Sequence, residues 1–318
     1  MWYNKVGDDM KRKVKLKPII ILIITVLLLI FGIIYIVKTV NYHKTYDYKL
    51  SKVGYTEEEV VNLKKLDTTS LDYLLTIPYN KNIPNLINEK YFMEKNLKKY
   101  INYLDKNSNL TDVVAIINVG ADKGWYKEIK STDLSKGHLI LTNKFNYLDN
   151  TYNNDNMVKV SKWYSYGDNQ YLTKETYDAF LNMFSAAKME DLTLIINSSF
   201  RSFEDQNEVY KEYTASKGQE AADKIAARPG HSEHQTGMAI DIQTYGSTGA
   251  TFEDFDEFKW LSNNAHKYGF ILRYPKNKKY LTGYEYESWH YRYVGVEVAT
   301  YIYQNNITFD EYYAYFIN

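Results

Sequence analysis

The stretch Ala226-Ala-Arg-Pro-Gly-His-Ser-Glu-His-Gln-Thr-Gly-Met-Ala-Ile-Asp-Ile242 decides how this chain is read. Met238, Ile240 and Ile242 alternate with Ala239 and Asp241, the period of two expected of a half-buried strand. If the apolar trio faces a core, Asp241 points the other way, towards whatever His234 faces. Small Ala239 leaves room there for an ion, and Gly230 and Gly237 free the backbone where side chains must converge. One histidine and one aspartate do not make a catalytic metal site, which usually takes three protein ligands and keeps a position open.

A third ligand is offered by Glu287-Ser-Trp-His-Tyr-Arg-Tyr-Val-Gly295, where Trp289, Tyr291 and Tyr293 alternate with His290 and Arg292. With the aromatic face in the core, His290 emerges on the other side. His234, Asp241 and His290 are therefore the candidate zinc ligands. Two imidazoles and a carboxylate leave a bound ion positively charged, with a free position for water. Hydrolysis also needs a base. Glu287 is the first candidate, provided the chain kinks near Ser288, because an offset of three on a regular strand points to opposite faces. Glu233 is its rival. A fixed cation beside the scissile carbonyl stabilises developing negative charge. Arg201, between a strand and a helix opened by Ser202 and Asp205, suits that role, while Gln206 and Ser232 are candidates for holding a polar peptide. His43, His138 and His266 lack such context and read as ordinary surface or packing histidines.

Lys+Arg and Asp+Glu balance at 39 each, so bulk charge gives no argument for nucleic acid. The absence of cysteine excludes a cysteine nucleophile, cysteine-bound zinc and disulfides. Residues 1–17 are basic (Lys5, Lys11, Arg12, Lys13, Lys15, Lys17), and Pro18 to Val37 carries no charge. About 20 apolar residues suffice to span a bilayer. With no polar stripe and no small-residue cleavage site, segment 18–38 reads as an uncleaved signal anchor. The basic flank puts the N-terminus in the cytoplasm and everything after residue 38 outside it. Residues 39–110 read as a helical stalk, with helices at Glu57 to Leu66 and Tyr91 to Leu104. Residues 111–318 read as the enzymatic domain. In it strands are expected at Val113 to Val119, His138 to Leu141, Leu192 to Ile196, Phe270 to Tyr274 and Trp289 to Val294. Helices are expected at Thr173 to Met189, from Ser202 to Gly218, at Asp254 to Tyr268 and near Val296 to Tyr303. Mixed without a βαβ rhythm, these elements predict an α+β fold.

From Leu172 to Gly295 the chain resembles the VanY-type D-alanyl-D-alanine carboxypeptidases. The shared motifs are Ser198, Arg201, Ser202 and Gln206; Ser232 through Asp241; and Glu287 to His290. The resemblance implies a compact antiparallel sheet with flanking helices, as in lysostaphin-like peptidases and the hedgehog domain. It also implies one zinc ion on His234, Asp241 and His290, Glu287 as base, and Arg201 against substrate or transition state. Its substrate would be the peptidoglycan stem peptide, cut before its terminal D-alanine. Ser288 stands where the family commonly has proline, Phe200 where tyrosine is usual and Ser199 where glycine is common. The expected protein is a membrane-anchored zinc D,D-carboxypeptidase. The alternatives are an L,D-carboxypeptidase, an endopeptidase on cross-links, or a zinc-bearing binding module without catalysis. No protein partner is inferable from the sequence.

Overall fold

The computed structural model describes residues 16–105 and 109–317. The basic run Lys5 to Lys15 lies outside the described residues. The chain divides into two compact units, Met1–Asn88 and Glu89–Asn318.

In the first unit, helix α1 (Leu16–His43) has 28 residues. At 1.5 Å per residue it is about 42 Å long, more than the roughly 30 Å hydrocarbon thickness of a bilayer. Its large aliphatic side chains from Ile19 to Val37 are exposed, so no protein core accounts for their apolarity. Short helices follow: α2 (Tyr46–Val53), α3 (Glu57–Leu63), α4 (Thr68–Leu74) and α5 (Ile83–Leu86). Thr56 and Glu59 cap the start of α3 reciprocally, and Asp67 caps α4. Leu50, Leu63, Leu74, Ile83 and Leu86 are fully buried.

The second unit begins with α6 (Leu97–Tyr103) and α7 (Leu110–Val119). The expected helix from Tyr91 is therefore shorter and follows a 3₁₀ turn at Glu94–Asn96. The strand expected at Val113 to Val119 is instead the body of α7. Asn109 accepts a bond from the Asp112 backbone, and Gly120 closes the other end at φ 83°. Caps at both ends outweigh the β propensity of the Val-Val-Ala-Ile-Ile run. His138 to Leu141 is not a strand either: Leu134–Leu139 forms 3₁₀ turns after an Asp133 cap, interrupted by Gly137 at φ 56°. Two small pairings follow, β1 (Lys130–Ser131) with β2 (Asn146–Tyr147) and β3 (Met157–Lys159) with β4 (Tyr171–Thr173).

The central sheet joins β5 (Ile195–Ser198), β6 (Ala239–Gln243), β7 (Phe270–Leu272) and β8 (His290–Tyr293) in the order β5-β6-β8-β7, all antiparallel. Along each strand alternate residues enter one core: Ile196, Ile240, Ile242, Phe270, Tyr291 and Tyr293. That core also takes Phe180, Met183 and Ala187 of α8 (Lys174–Lys188), and Trp260 and Leu261 of α11 (Asp256–Asn264). Between them run α9 (Phe203–Lys217), which ends at Gly218, and α10 (Gln219–Ile225). Past the sheet are α12 (Lys279–Thr282), α13 (Val296–Asn305) and α14 (Phe309–Phe316). Ile271, on the opposite face of β7, packs with Val298, Ile302 and Phe309. The fold is thus α+β, and the face left to Ala239, Asp241, His290 and Arg292 is where chemistry can be placed.

The loop into β6 depends on two glycines. A Cβ on Gly230, at φ 83°, would lie 2.7 Å from the Leu148 carbonyl oxygen; on Gly237, at φ 71°, it would meet the Met157 sulfur at 2.5 Å. Gly230 also accepts the Leu148 backbone N–H at 2.7 Å. Gly230→Ala combines positive-φ strain with a backbone clash. It is expected to destabilise the protein by about 1–3 kcal/mol, read as a lower denaturant midpoint at unchanged slope.

Candidate active site

Asp241 and His290 face each other across β6 and β8 in register, and Ser198 pairs with Asp241 on the other edge. This places the carboxylate and the imidazole on the same face by strand geometry alone. His234 arrives from the 3₁₀ turn Glu233–Thr236, which Ser232 opens by accepting the His234 backbone N–H. Its Nδ1 lies 2.6 Å from the Ser199 carbonyl, so Nδ1 carries the proton and Nε2 presents a lone pair. That Nε2 is 3.5 Å from Asp241 Oδ1, and His290 Nδ1 is 3.2 Å from the same oxygen. The imidazole rings are edge to face, 4.9 Å apart.

One ligand atom from each of His234, Asp241 and His290 lies within 4.8 Å of the other two, and all three residues are buried. Asp241 Oδ1 is itself buried without a hydrogen-bond partner. Burial keeps the His234 imidazole below its ordinary value, that is, neutral. Against its own burial, Asp241 is held well below the usual carboxylate range by His234 and His290. An ionised carboxylate oxygen facing a neutral nitrogen lone pair in a buried site is a cradle for a cation, and the donor set is one that zinc accepts.

Glu287 stands beside this cradle, its Oε2 3.6 Å from His290 Nδ1. The chain bends at Ser288 and Trp289 before β8 begins. The Glu287 N–H donates to the Tyr274 carbonyl at 3.1 Å and the Ser288 hydroxyl to the Gly249 carbonyl at 3.3 Å. Both bonds tie the bend to neighbouring backbone. Burial pushes the Glu287 carboxyl up to about 7, with His290 opposing and Asp241 reinforcing the rise. A carboxyl near neutrality can both take and return a proton.

Arg201 follows β5. Its Nη1 donates to Gln206 Oε1 at 2.9 Å and its Nη2 to Ser198 Oγ at 3.0 Å. Gln206, at the start of α9, is buried, and its Nε2 donates to the Ala227 carbonyl at 2.7 Å. Both ends of that amide are used within the protein, so Gln206 orients Arg201. A cavity of about 180 Å³ is lined by all seven candidates: Arg201, Gln206, Ser232, His234, Asp241, Glu287 and His290. Tyr274 and Tyr284 add apolar wall that no motif announced, and Trp289, expected with the aromatic face in the core, lines the cavity as well.

Glu233 is not placed as a base. It is fully buried between Arg273 and Arg292, which donate to its Oε1 at 2.8 and 3.1 Å. Burial alone would raise it, but the two guanidiniums hold it well below the usual range. His231 has its Nδ1 on the Asn143 carbonyl at 2.7 Å, and Tyr126 lies edge-on against its ring. His138 has no acidic neighbour in sequence but lies 3.6 Å from Glu175. His266, read as an ordinary surface or packing histidine, stacks on Tyr303 at 3.8 Å.

The profile of the VanY D-alanyl-D-alanine carboxypeptidase family matches residues 169–296. The protein YodJ of Bacillus subtilis is 40% identical over 181 residues, 55% of this chain and 66% of that protein. A D-alanyl-D-alanine carboxypeptidase of Enterococcus faecalis is 39% identical over 142 residues, 41% of this chain and 51% of the relative. The chain thus spans between about half and two thirds of the length of these curated relatives. Among solved structures, the LdcB LD-carboxypeptidase, described in terms of peptidoglycan recognition, superposes with a TM-score of 0.56 at 37% identity. That match covers 59% of this chain and 91% of that one.

If the three donors form one centre, a chelator should lower the unfolding temperature of the metal-loaded protein, because an ion bound only by the folded state stabilises it by mass action. His234→Ala is expected to abolish both the bound ion and this chelator response. Metal analysis and thermal scans with and without chelator check it.

Proposed function

We propose that this chain, which belongs to the VanY-type D-alanyl-D-alanine carboxypeptidase family, is a zinc carboxypeptidase that removes the terminal D-alanine from peptidoglycan stem peptides. The observation that carries the reading is Glu287 beside a buried His-Asp-His cradle in a cavity that Arg201 also lines. His234, Asp241 and His290 would hold the ion, which when bound supplies Lewis acidity at the scissile carbonyl. Glu287 takes the proton of the attacking water and hands it to the departing amine, a double task suited to a carboxyl near 7. Arg201, fixed by Gln206 and Ser198, offers a preorganised positive charge to the carbonyl oxygen or the terminal carboxylate. Tyr274, Tyr284 and Trp289 give the cavity aromatic walls beside these groups. A non-catalytic binding module would have no use for a buried base at 3.6 Å from a ligand histidine.

Within this reading the first choice is D,D cleavage of a pentapeptide stem, in line with the family and the enterococcal relative. A second reading, L,D cleavage of a tetrapeptide stem, is favoured by the likeness to LdcB. Helix α1 is long and apolar enough to cross a bilayer, and we read it as the anchor that presents residues 39–318 outside the cytoplasm. Within that span, residues 39–110 are the stalk and 111–318 the peptidase domain.

Glu287→Ala should keep the ion and lose D-alanine release by about 10²–10⁴-fold, the usual contribution of a positioned acid–base group. Mass spectrometry of defined muropeptides checks this, and undiminished release by the mutant would overturn the mechanism. The same assay on wild type separates the two specificities: loss of one alanine from pentapeptide alone supports D,D cleavage, and from tetrapeptide alone L,D cleavage.

A further inference from the structure

The matched family segment ends at residue 296, yet the surroundings of His290 are completed by residue 310. His290 Nδ1 faces Asp241 and Glu287, so Nδ1 is the atom turned to the cradle. Its other nitrogen, Nε2, faces Glu233 Oε2 at 3.7 Å. Both atoms are buried, and neither has a hydrogen-bond partner. An imidazole N–H and a buried carboxylate oxygen that face each other at this distance are each other's natural partner, and a small ring movement closes it.

Glu233 cannot drift towards any other role, because Oε1 is held by Arg273 Nε and Arg292 Nη1. Arg273 Nη1 in turn donates to Asp310 Oδ2 at 2.6 Å, and Asp310 Oδ1 accepts from Asn143 Nδ2 at 2.7 Å. Arg292 Nη2 caps the carbonyls of His138 and Ile140 at 3.0 and 2.9 Å. The side chains of Glu233, Arg273 and Arg292 are 0% exposed and that of Asp310 is 4%. Two guanidiniums and two carboxylates make a neutral set, which is why it can be buried at all. The Phe309 ring lies 5.7 Å from the Arg273 guanidinium carbon and 5.4 Å from that of Arg292. The C-terminal helix thereby delivers Asp310 and closes the set from above.

We infer that Glu233 is a positioning residue of the metal centre. It keeps the His290 proton on Nε2, leaving the Nδ1 lone pair for the ion, and Asp310 of α14 fixes Glu233 through Arg273. The inference rests on the metal-centre reading above. It differs from that reading in assigning a function to a helix beyond the matched family segment. A carboxylate behind a ligand histidine sets its tautomer and raises its basicity. Removing such a partner typically costs 10–100-fold in metal affinity.

The test is zinc affinity of the full-length protein in detergent, measured by competition with a chromogenic chelator, for wild type, Glu233→Gln and Asp310→Asn. Glu233→Gln is expected to bind zinc about 10–100-fold more weakly, and Asp310→Asn to be weakened in the same direction but less. D-alanine release by both variants should return at saturating zinc, which a damaged fold would not allow. Nitrogen-15 spectra of labelled histidine provide the signature a merely structural role would not move: in wild type His290 should be protonated at Nε2 and metal-bound at Nδ1, and in Glu233→Gln this state should lose population. A folded Glu233→Gln protein with wild-type affinity overturns the inference. Should that variant not fold, Asp310→Asn decides it alone, wild-type affinity again counting against. Failure of wild type to bind zinc would bring down the metal-centre reading itself, and this inference with it.

Discussion

The pairing of Asp241 with His290 across two antiparallel strands is the constraint on which the rest of the site depends. Side chains alternate along a strand, so a slip of one residue in this register would turn His290 into the aromatic core and Tyr291 into the cavity. The register is held from behind by Ile240, Ile242, Tyr291 and Tyr293, and burying each of the two isoleucines adds about 1.5–3 kcal/mol. Hydrophobic burial on one face thus sets the geometry of charge on the other. His234 needs no strand, because its turn is tied to the sheet by the Ser199 carbonyl and by Arg201 N–H on its own carbonyl.

The electrostatics of the cavity follow from how each carboxylate is neutralised. Asp241 Oδ1 faces two imidazoles at 3.2 and 3.5 Å, Glu233 is bonded to two guanidiniums, and Glu287 has a single imidazole, that of His290, at 3.6 Å. Two of the three are therefore held ionised while Glu287 alone rises to about 7. The charge state of each carboxylate is set by what stands opposite it, not by its own nature. Gln206 shows the same dependence among neutral groups. It lines the cavity yet spends both amide ends on Arg201 and Ala227, so its effect on a substrate passes through Arg201.

Several elements could be read from the chain because their signals are local. The Ser202–Asp205 capping box and Gly218 bracket α9, and alternation marks β6 and β8. The reading of Val113 to Val119 as a strand shows the limit of that approach: β-branched content pointed one way, while Asn109 and Gly120 at the ends pointed the other. A preference of a few tenths of a kcal/mol per residue gives way when both ends are capped and Val113, Val114 and Ile117 find a core to fill. His138 to Leu141 failed for a related reason, since Gly137 at positive φ breaks the extended backbone a strand requires.

By itself the sequence determined which residues are candidates to hold an ion and to act as a base, because strand period fixes the face a side chain takes and motifs mark the turns between strands. Asp241 and His290 were legible as candidate ligands by strand period, and His234 and Glu287 as candidates only through the motifs they stand in; an apolar segment long enough for a bilayer was legible too. Only the tertiary structure showed how differently Glu287, the first candidate base, and its rival Glu233 are surrounded. The two are 54 positions apart by their numbering; Glu233 adjoins His234, and Glu287 stands three residues before His290. What separates them is a pair of buried arginines, one of them Arg273, and a C-terminal aspartate, Asp310. No periodicity announces such partners, because a buried ion set is assembled from distant segments. Its residues look like ordinary surface charges until the core closes over them.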